Sequence, residues 1–202
     1  MNAIDVLPLV ATAAAVPQLL PQLRRLVRSR RPDGVSPAWA SLTAVSNVGW
    51  FAYFTSTGLW TAMVPSASCS LIAAAIVIAL AGAGVDVRSS LAVGAGWLGV
   101  LAGAFLLAGP SGLGAVLTVA FLLQVTPSLR SAWRTDRPVG VSRVTWGLIG
   151  IEVLCWGTVG VLDARPPLIV LGATGIIAVA AMLWLARPSR GTSAKPVLSA
   201  AT

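Results

Sequence analysis

Long apolar runs separated by short polar stretches occupy most of this chain. A helix needs about 20 mostly apolar residues to cross a bilayer, and seven runs come close to that length or exceed it. They are residues 4–23, 36–56, 61–83, 89–107, 112–129, 141–161 and 168–186. The pattern predicts an all-α membrane protein with seven transmembrane helices, short connections and no water-soluble domain.

The composition agrees with a membrane protein and changes the meaning of the charge. The 202 residues are 56% hydrophobic and 10% charged, with a mean hydropathy of +0.86, which lies outside the range of soluble domains. A net charge of +8 could indicate nucleic-acid binding, but the basic residues lie in short loops between apolar runs. We therefore expect a lipid bilayer as the surroundings and no nucleic-acid partner.

The basic loops also predict an orientation. Of the 14 Lys and Arg residues, 13 lie in the connections after runs one, three, five and seven. The positive-inside rule then places the N-terminus outside and the C-terminus in the cytoplasm. The first run has no basic flank, so we expect a retained helix and not a cleaved signal. Since no organelle signal is evident, we expect a bacterial inner membrane.

The residue types exclude most catalytic chemistry. The chain has no His, and Cys69 and Cys155 lie in separate apolar runs, so a metal site made of Cys, His and carboxylate ligands is not expected. The sequence also lacks a nucleophile–base pair, a phosphate-binding glycine loop and paired carboxylates. We predict a protein that is not an enzyme and needs no metal or cofactor.

The chain contains an internal repeat. Residues 18–50 and 124–156 align without a gap and are identical at 12 of 33 positions, including Gln, Pro, Arg and Trp residues. Such identities indicate duplication of a three-helix unit. We expect a first triple-helix repeat at 1–84, a linker helix at 85–110, a second repeat at 111–187 and a flexible cytoplasmic tail at 188–202. One linker span gives both units the same orientation, so the prediction is two parallel triple-helix bundles, a 3+1+3 arrangement.

The repeated segments carry a family resemblance. "PQLRRLVRSRRPDGVS" (residues 21–36) and "PSLRSAWRTDRPVGVS" (127–142) resemble the PQ-loop motif of the SWEET, SemiSWEET and PQ-loop repeat families. The motif combines a Pro-Gln pair, a basic loop and a Gly-hydrophobic-Ser sequence that opens the next helix. Its serines, Ser36 and Ser142, fit helix N-caps.

The resemblance implies a function. It implies a small-solute transporter in which two triple-helix bundles give alternating access, with facilitated diffusion of sugars as the leading expectation. A proton-coupled carrier of an amino acid or another polar metabolite is an alternative. A membrane receptor or assembly factor on the same scaffold is another. Relatives associate, so a homo-oligomer is possible.

Two repeated prolines are candidate hinges. Pro21 and Pro127 each remove a helical hydrogen bond near the ends of runs one and five, although membrane helices also tolerate proline without a hinge. Gln18 and Gln124 lie one turn earlier, where their amides could satisfy a freed carbonyl or bond across the pore.

Two equivalent tryptophans are candidate substrate contacts. Trp50 and Trp156 lie deep in the second helix of each unit. SWEET-like proteins pair such a Trp, which covers the apolar face of a sugar ring, with an Asn on the third helix, but this chain has Ser66 and Gly172 there. Five further tryptophans lie near the ends of runs and are expected to be interface anchors: Trp39, Trp60, Trp133, Trp146 and Trp184.

Two more polar residues lie at mid-depth. Asn47 is either a displaced hydroxyl-binding group or a hydrogen-bond partner for a neighbouring helix. Glu152 is the sole acidic residue deep in a run, with no basic residue at matching depth. An ionisable group there is costly, which makes a functional role the default hypothesis. It either binds a proton in a coupled carrier or is a permanently neutral acid bonded to a neighbouring helix.

Overall fold

A computed structural model describes residues 3–135, 138 and 140–187. The predicted tail at 188–202 lies outside the described residues. All the secondary structure of the described part is helical. The helices are α1 (Ala3–Ala15), α2 (Leu20–Ser29), α3 (Pro37–Ser56), α4 (Trp60–Gly82), α5 (Arg88–Trp133), α6 (Arg143–Leu162) and α7 (Pro166–Leu185).

Five helical stretches of the described chain are long and apolar enough to cross a bilayer. They are Val6–Ser29, Trp60–Gly82, Arg88–Trp133, Arg143–Leu162 and Pro166–Leu185. Large apolar side chains also cover much of the outer surface, with Leu106 and Leu107 more than four-fifths exposed. Such a surface is unfavourable in water and suits lipid. The chain is therefore an integral membrane protein.

Helix α3 is not one of these five, and three of its polar residues face inward. Ser41, Thr43 and Ser46 are buried against neighbouring helices, and the Ser46 hydroxyl accepts a hydrogen bond from the Trp97 indole at 3.0 Å. The lower hydropathy of α3 thus reflects contacts inside the protein.

The two predicted N-caps are confirmed. The Ser36 hydroxyl accepts a hydrogen bond from the Trp39 amide at 3.2 Å, and the Ser142 hydroxyl accepts one from the Thr145 amide at 3.3 Å. Each satisfies an amide that the first helical turn leaves without a partner. The repeated serine therefore starts the second helix of each unit.

The first apolar run is broken at a proline, but not at the predicted hinge. Residues 16–19 form a turn between α1 and α2, at Pro17. Pro21 instead lies in the first turn of α2, where its missing N–H has no helical partner to lose. In the second copy, α5 continues through Pro127 without a break. The counterpart of Pro17 is Leu123, which keeps its N–H, and this explains why only the first copy is interrupted.

Helix α5 is two arms that join at a sharp break. Ala108 and Gly109 have non-helical dihedral angles, and Gly109 has φ +60° and ψ −152°. A straight helix of 46 residues would be roughly 70 Å long, more than twice the ~30 Å hydrocarbon core of a bilayer. The break divides α5 between the two runs predicted at 89–107 and 112–129.

The two arms of α5 run in opposite directions along α3. In the first arm, Gly94 faces Ser41 and Leu101 faces Gly49, so residue numbers rise together. In the second arm, Gly114 faces Tyr53 and Leu117 faces Gly49, so the numbers run oppositely. The break at Gly109 therefore reverses the chain.

The helices pair reciprocally between the two copies of the repeat. In the first copy, α4 packs against α1, α2 and α3; in the second, α7 packs against α5 and α6. Across the copies, α1 and α2 pack against α6, and the second arm of α5 packs against α3. The first helix of each copy thus lies against the second helix of the other.

Substitution of Gly109 by Ala is expected to lower stability by about 1–3 kcal/mol, because backbone at φ +60° and ψ −152° is accessible almost only to glycine. The measurement is thermal unfolding of the detergent-purified protein. Gly103→Ala is the matched control on the same helix, since an added Cβ there meets nothing within 4 Å and alanine favours helix. Equal unfolding temperatures for the two variants would contradict the backbone constraint.

Candidate functional site

A cavity of about 70 Å³ lies between the two copies of the repeat. Because roughly 10–15 Å³ of such volume is needed for each water molecule, the cavity has room for about five to seven waters. Its polar lining residues are Gln18, Thr43, Asn47, Ser66, Gln124 and Glu152. Its aromatic lining residues are Trp39, Trp50, Phe54, Phe121, Trp146 and Trp156.

The structure brings the predicted solute-contacting residues to this cavity. Trp50, Trp156, Asn47, Ser66 and Glu152 all line it, and so do Gln18 and Gln124. The prolines proposed as hinges are not among the lining residues. Gly172, the second-copy counterpart of Ser66, packs directly against Gly157, so its position serves contact between α6 and α7.

A third ring lies between the two equivalent tryptophans. Phe54 stacks on Trp50 with centroids 5.3 Å apart and on Trp156 with centroids 6.2 Å apart. Stacked rings at these distances attract one another beyond the area that they bury. Phe54 is therefore in stacking contact with both of the equivalent indoles.

A polar network joins Glu152 to the break between α1 and α2. The Gln18 amide nitrogen donates to the Cys69 sulfur at 2.9 Å, and the Cys69 thiol donates to the Ala15 carbonyl at 3.2 Å. The Glu152 carboxyl lies within hydrogen-bonding reach of the Gln18 and Trp156 side chains. The network connects α6 of the second copy with α1 and α4 of the first.

Two buried polar atoms of the cavity residues have no hydrogen-bond partner in the described chain. They are Oε1 of Gln18 and Oγ1 of Thr43, whose residues are 6% and 3% exposed. A buried polar atom without a partner costs about 1–3 kcal/mol. These two atoms are therefore candidates for contact with a bound molecule.

Two tryptophans predicted as interface anchors close one end of the cavity instead. Trp39 and Trp146 are 3% and 2% exposed, and their ring centroids lie 6.0 Å apart. The anchor prediction was wrong for these two because each lies in the first turn of its helix and points inward from its capped end. Trp60, Trp133 and Trp184 are exposed, as anchors would be.

The same end carries a bridge that the sequence analysis missed. Gln22, 2% exposed, donates to the Gly140 carbonyl and accepts from the Ser142 amide, both at 2.7 Å. It thus joins α2 of the first copy to the start of α6 in the second. Gln22 belongs to the Pro-Gln pair of the motif, but its counterpart is Ser128, so comparison of the copies gave no signal.

The two repeated loops also touch each other directly. The Gly140 amide donates to the Asp33 carbonyl at 2.9 Å. A Cβ on Gly140 would lie 2.6 Å from that oxygen, closer than such atoms can approach, so the contact requires glycine. The Trp39–Trp146 contact, the Gln22 bridge and the loops around Gly34 and Gly140 lie at one end of the molecule. We call it the arginine-rich end.

The described residues contain no cluster of three or more His, Cys, Asp or Glu side chains that could hold a metal ion. Comparison of the chain with protein-family models and with curated proteins returns no match.

Replacement of Gln22 by Ala is expected to lower stability by about 1–3 kcal/mol, because it leaves the Gly140 carbonyl and the Ser142 amide buried without partners. Gln22→Glu keeps the shape but cannot donate to the carbonyl, so it is also expected to destabilise. Thermal unfolding in detergent measures both. Ser29→Ala, at an exposed hydroxyl of the same helix, is the control, and a Gln22→Ala protein that unfolds with this control would exclude the bridge as a stabilising contact.

Proposed function

We propose that this protein is a small-solute transporter of the SWEET and PQ-loop type, which works by alternating access between two triple-helix bundles. The observation that carries the proposal is a cavity between the two copies of the repeat. It is lined by equivalent residues of both, Trp50 with Trp156 and Gln18 with Gln124. Transporter sites at repeat interfaces near the middle of the bilayer have this arrangement.

The helix packing supports a 3+1+3 arrangement of seven spans. If α1 and α2 form one span and the arms of α5 form two, the first arm is the linker and the second arm opens the second bundle. The reversal at Gly109 and the reciprocal pairing of helices are expected of two parallel bundles related by an axis along the membrane normal.

The cavity is closed at one end, as expected for one state of a transport cycle. Its arginine-rich end is shut by the Trp39–Trp146 contact and by the Gln22 bridge. The positive-inside rule assigns this end to the cytoplasm, as in a bacterial inner membrane. Release of a solute on that side requires both contacts to separate, and the turn at Pro17 gives α2 a place to move relative to α1.

Sugars are the first substrates to test. The resemblance and the two equivalent indoles favour them, but Phe54 stacks on both indoles and has to swing out before a sugar ring can pack between them. Sugar transport therefore predicts an open conformation in which Phe54 leaves the stack.

Uptake of radiolabelled glucose and sucrose into sealed proteoliposomes, with and without an inward proton gradient, tests this proposal. We expect uptake without a gradient and its loss in Trp156→Ala, because the indole that lines the cavity is removed. Trp60→Ala, at an exposed tryptophan, is the control and should transport normally. A sugar that binds but never crosses the bilayer would instead favour a receptor or assembly factor.

Glu152 favours a second candidate, a proton-coupled carrier of an amino acid or another polar metabolite. It is a carboxyl in the lining of the cavity, and no lining residue is Lys or Arg. The other titratable groups in its electrostatic reach are the thiols of Cys69 and Cys155, which supply no positive charge. Protonation of Glu152 is thus one way to neutralise the cavity during the cycle.

For this candidate, Glu152→Gln is expected to abolish uptake driven by a proton gradient while it leaves exchange at equal pH intact, because the amide keeps the size of the carboxyl but cannot bind a proton. Uptake of a radiolabelled amino-acid mixture with and without the gradient measures the difference. Gradient-driven uptake that is unchanged in Glu152→Gln would remove Glu152 from the coupling mechanism.

A further inference from the structure

Two polar side chains of the cavity lining already donate hydrogen bonds within the protein. The Ser66 hydroxyl donates its proton to the Ala62 carbonyl at 2.8 Å, and the Asn47 NH₂ group donates to the Thr43 carbonyl at 2.9 Å. Ser66 therefore keeps only its oxygen, an acceptor, for a bound molecule. Asn47 keeps Oδ1 as an acceptor and one N–H as a donor.

Gln18 is oriented so that it adds another acceptor. Because the Cys69 thiol donates its proton to the Ala15 carbonyl, the sulfur is left to accept, and the Gln18 group facing it must be the NH₂. Oε1 is therefore the end of the amide without a partner in the described chain. A buried amide oxygen that is held in this orientation requires a hydrogen-bond donor.

Glu152 gives the same cavity a possible negative charge without a counter-charge. Its neighbours in the network, Gln18, Trp156, Cys69 and Cys155, are all uncharged or acidic groups. An ionised carboxylate in apolar surroundings is stable only when it is paired or well hydrogen-bonded. Gln124 is the one amide of the lining for which the structure shows no donated hydrogen bond, and it carries no charge.

We infer that this cavity is a binding site for a small organic cation that donates hydrogen bonds, a protonated amine or a guanidinium group. Its N–H groups bond to Gln18 Oε1, the Thr43 hydroxyl and the Glu152 carboxylate, and its charge neutralises Glu152. The inference names a substrate class for the proposed transporter, and so it rests on that proposed function for access to the cavity.

The aromatic lining of the cavity favours the same ligand class. Indole and phenyl faces attract cations, most strongly when the site excludes water, and Trp50, Phe54 and Trp156 line the same cavity as Gln18, Thr43 and Glu152. A neutral ligand such as a sugar gains no cation–π attraction from these rings.

Guanidinium and urea provide a matched test, because they have the same planar shape and differ in charge. The purified wild-type protein is titrated with each by calorimetry near neutral pH. We expect guanidinium to bind at least tenfold more tightly than urea and this preference to disappear in Glu152→Gln. Equal affinity for the two, no binding of either, or a preference that survives in Glu152→Gln would overturn the inference.

A second variant tests the acceptor role separately from the charge. Gln18→Met removes Oε1 but leaves Glu152, and a lost hydrogen bond to a charged ligand should weaken guanidinium binding roughly 10- to 100-fold. Thermal unfolding confirms that each variant is folded, and Gln18→Met decides the question where Glu152→Gln does not fold. Unchanged affinity in a folded Gln18→Met protein would count against the site.

Uptake of radiolabelled guanidinium into proteoliposomes separates this inference from the proposed function. Guanidinium binding without uptake of any solute would keep the cation site and reject transport. Glucose uptake without guanidinium binding would keep transport and reject the cation site.

Discussion

The absence of water from the hydrocarbon core is the constraint on which the rest of this structure depends. A polar group there has to find its partner within the protein, because lipid offers none. Backbone groups meet the requirement by helix formation, and many hydroxyls by bonding to the carbonyl one turn earlier, as at Thr118 and Thr174. A buried polar atom without a hydrogen-bond partner is therefore unusual. The described chain has four such side-chain atoms, and two of them, on Gln18 and Thr43, belong to residues that line the cavity.

The duplication supplies a symmetric scaffold on which the chemistry is asymmetric. Both copies keep the features that place helices, including the capping serines and the loop glycines. The polar groups differ between the copies. Glu152 corresponds to Ser46, whose hydroxyl accepts a hydrogen bond from the Trp97 indole. Gln22 corresponds to Ser128. Divergence at such positions costs the fold little, since each polar group has to suit only its own neighbours. The Glu152 carboxyl and the bridging Gln22 amide therefore each occur in one copy of the repeat only.

Features set by the local residue pattern could be predicted from the sequence, and features set by contact between the two copies of the repeat could not. Length and apolarity predicted the five stretches that are long and apolar enough to cross a bilayer, and the Gly-Val-Ser sequence predicted the helix starts, because both depend on residues close in the chain. Trp39 and Trp146 were misplaced because a tryptophan near a helix end suits a lipid interface and a buried contact equally. The position of Phe54 between two indoles depends on the register of α3 against α6. No single helix contains that information.

The location of the acceptor groups suggests how occupancy of the cavity would act on its closed end. Gln18 lies in the turn between α1 and α2, and Gln22 lies one turn further along and holds the start of α6. Glu152 is on that same helix. A ligand that draws Gln18 and Glu152 together would thus act on α2 and α6. These are the two segments whose separation would open the arginine-rich end. A ligand shifts such an equilibrium only by its difference in affinity for the two states. Gln18 lies in the turn itself. Opening of the arginine-rich end at this turn would therefore change the distance between Gln18 and Glu152 most directly.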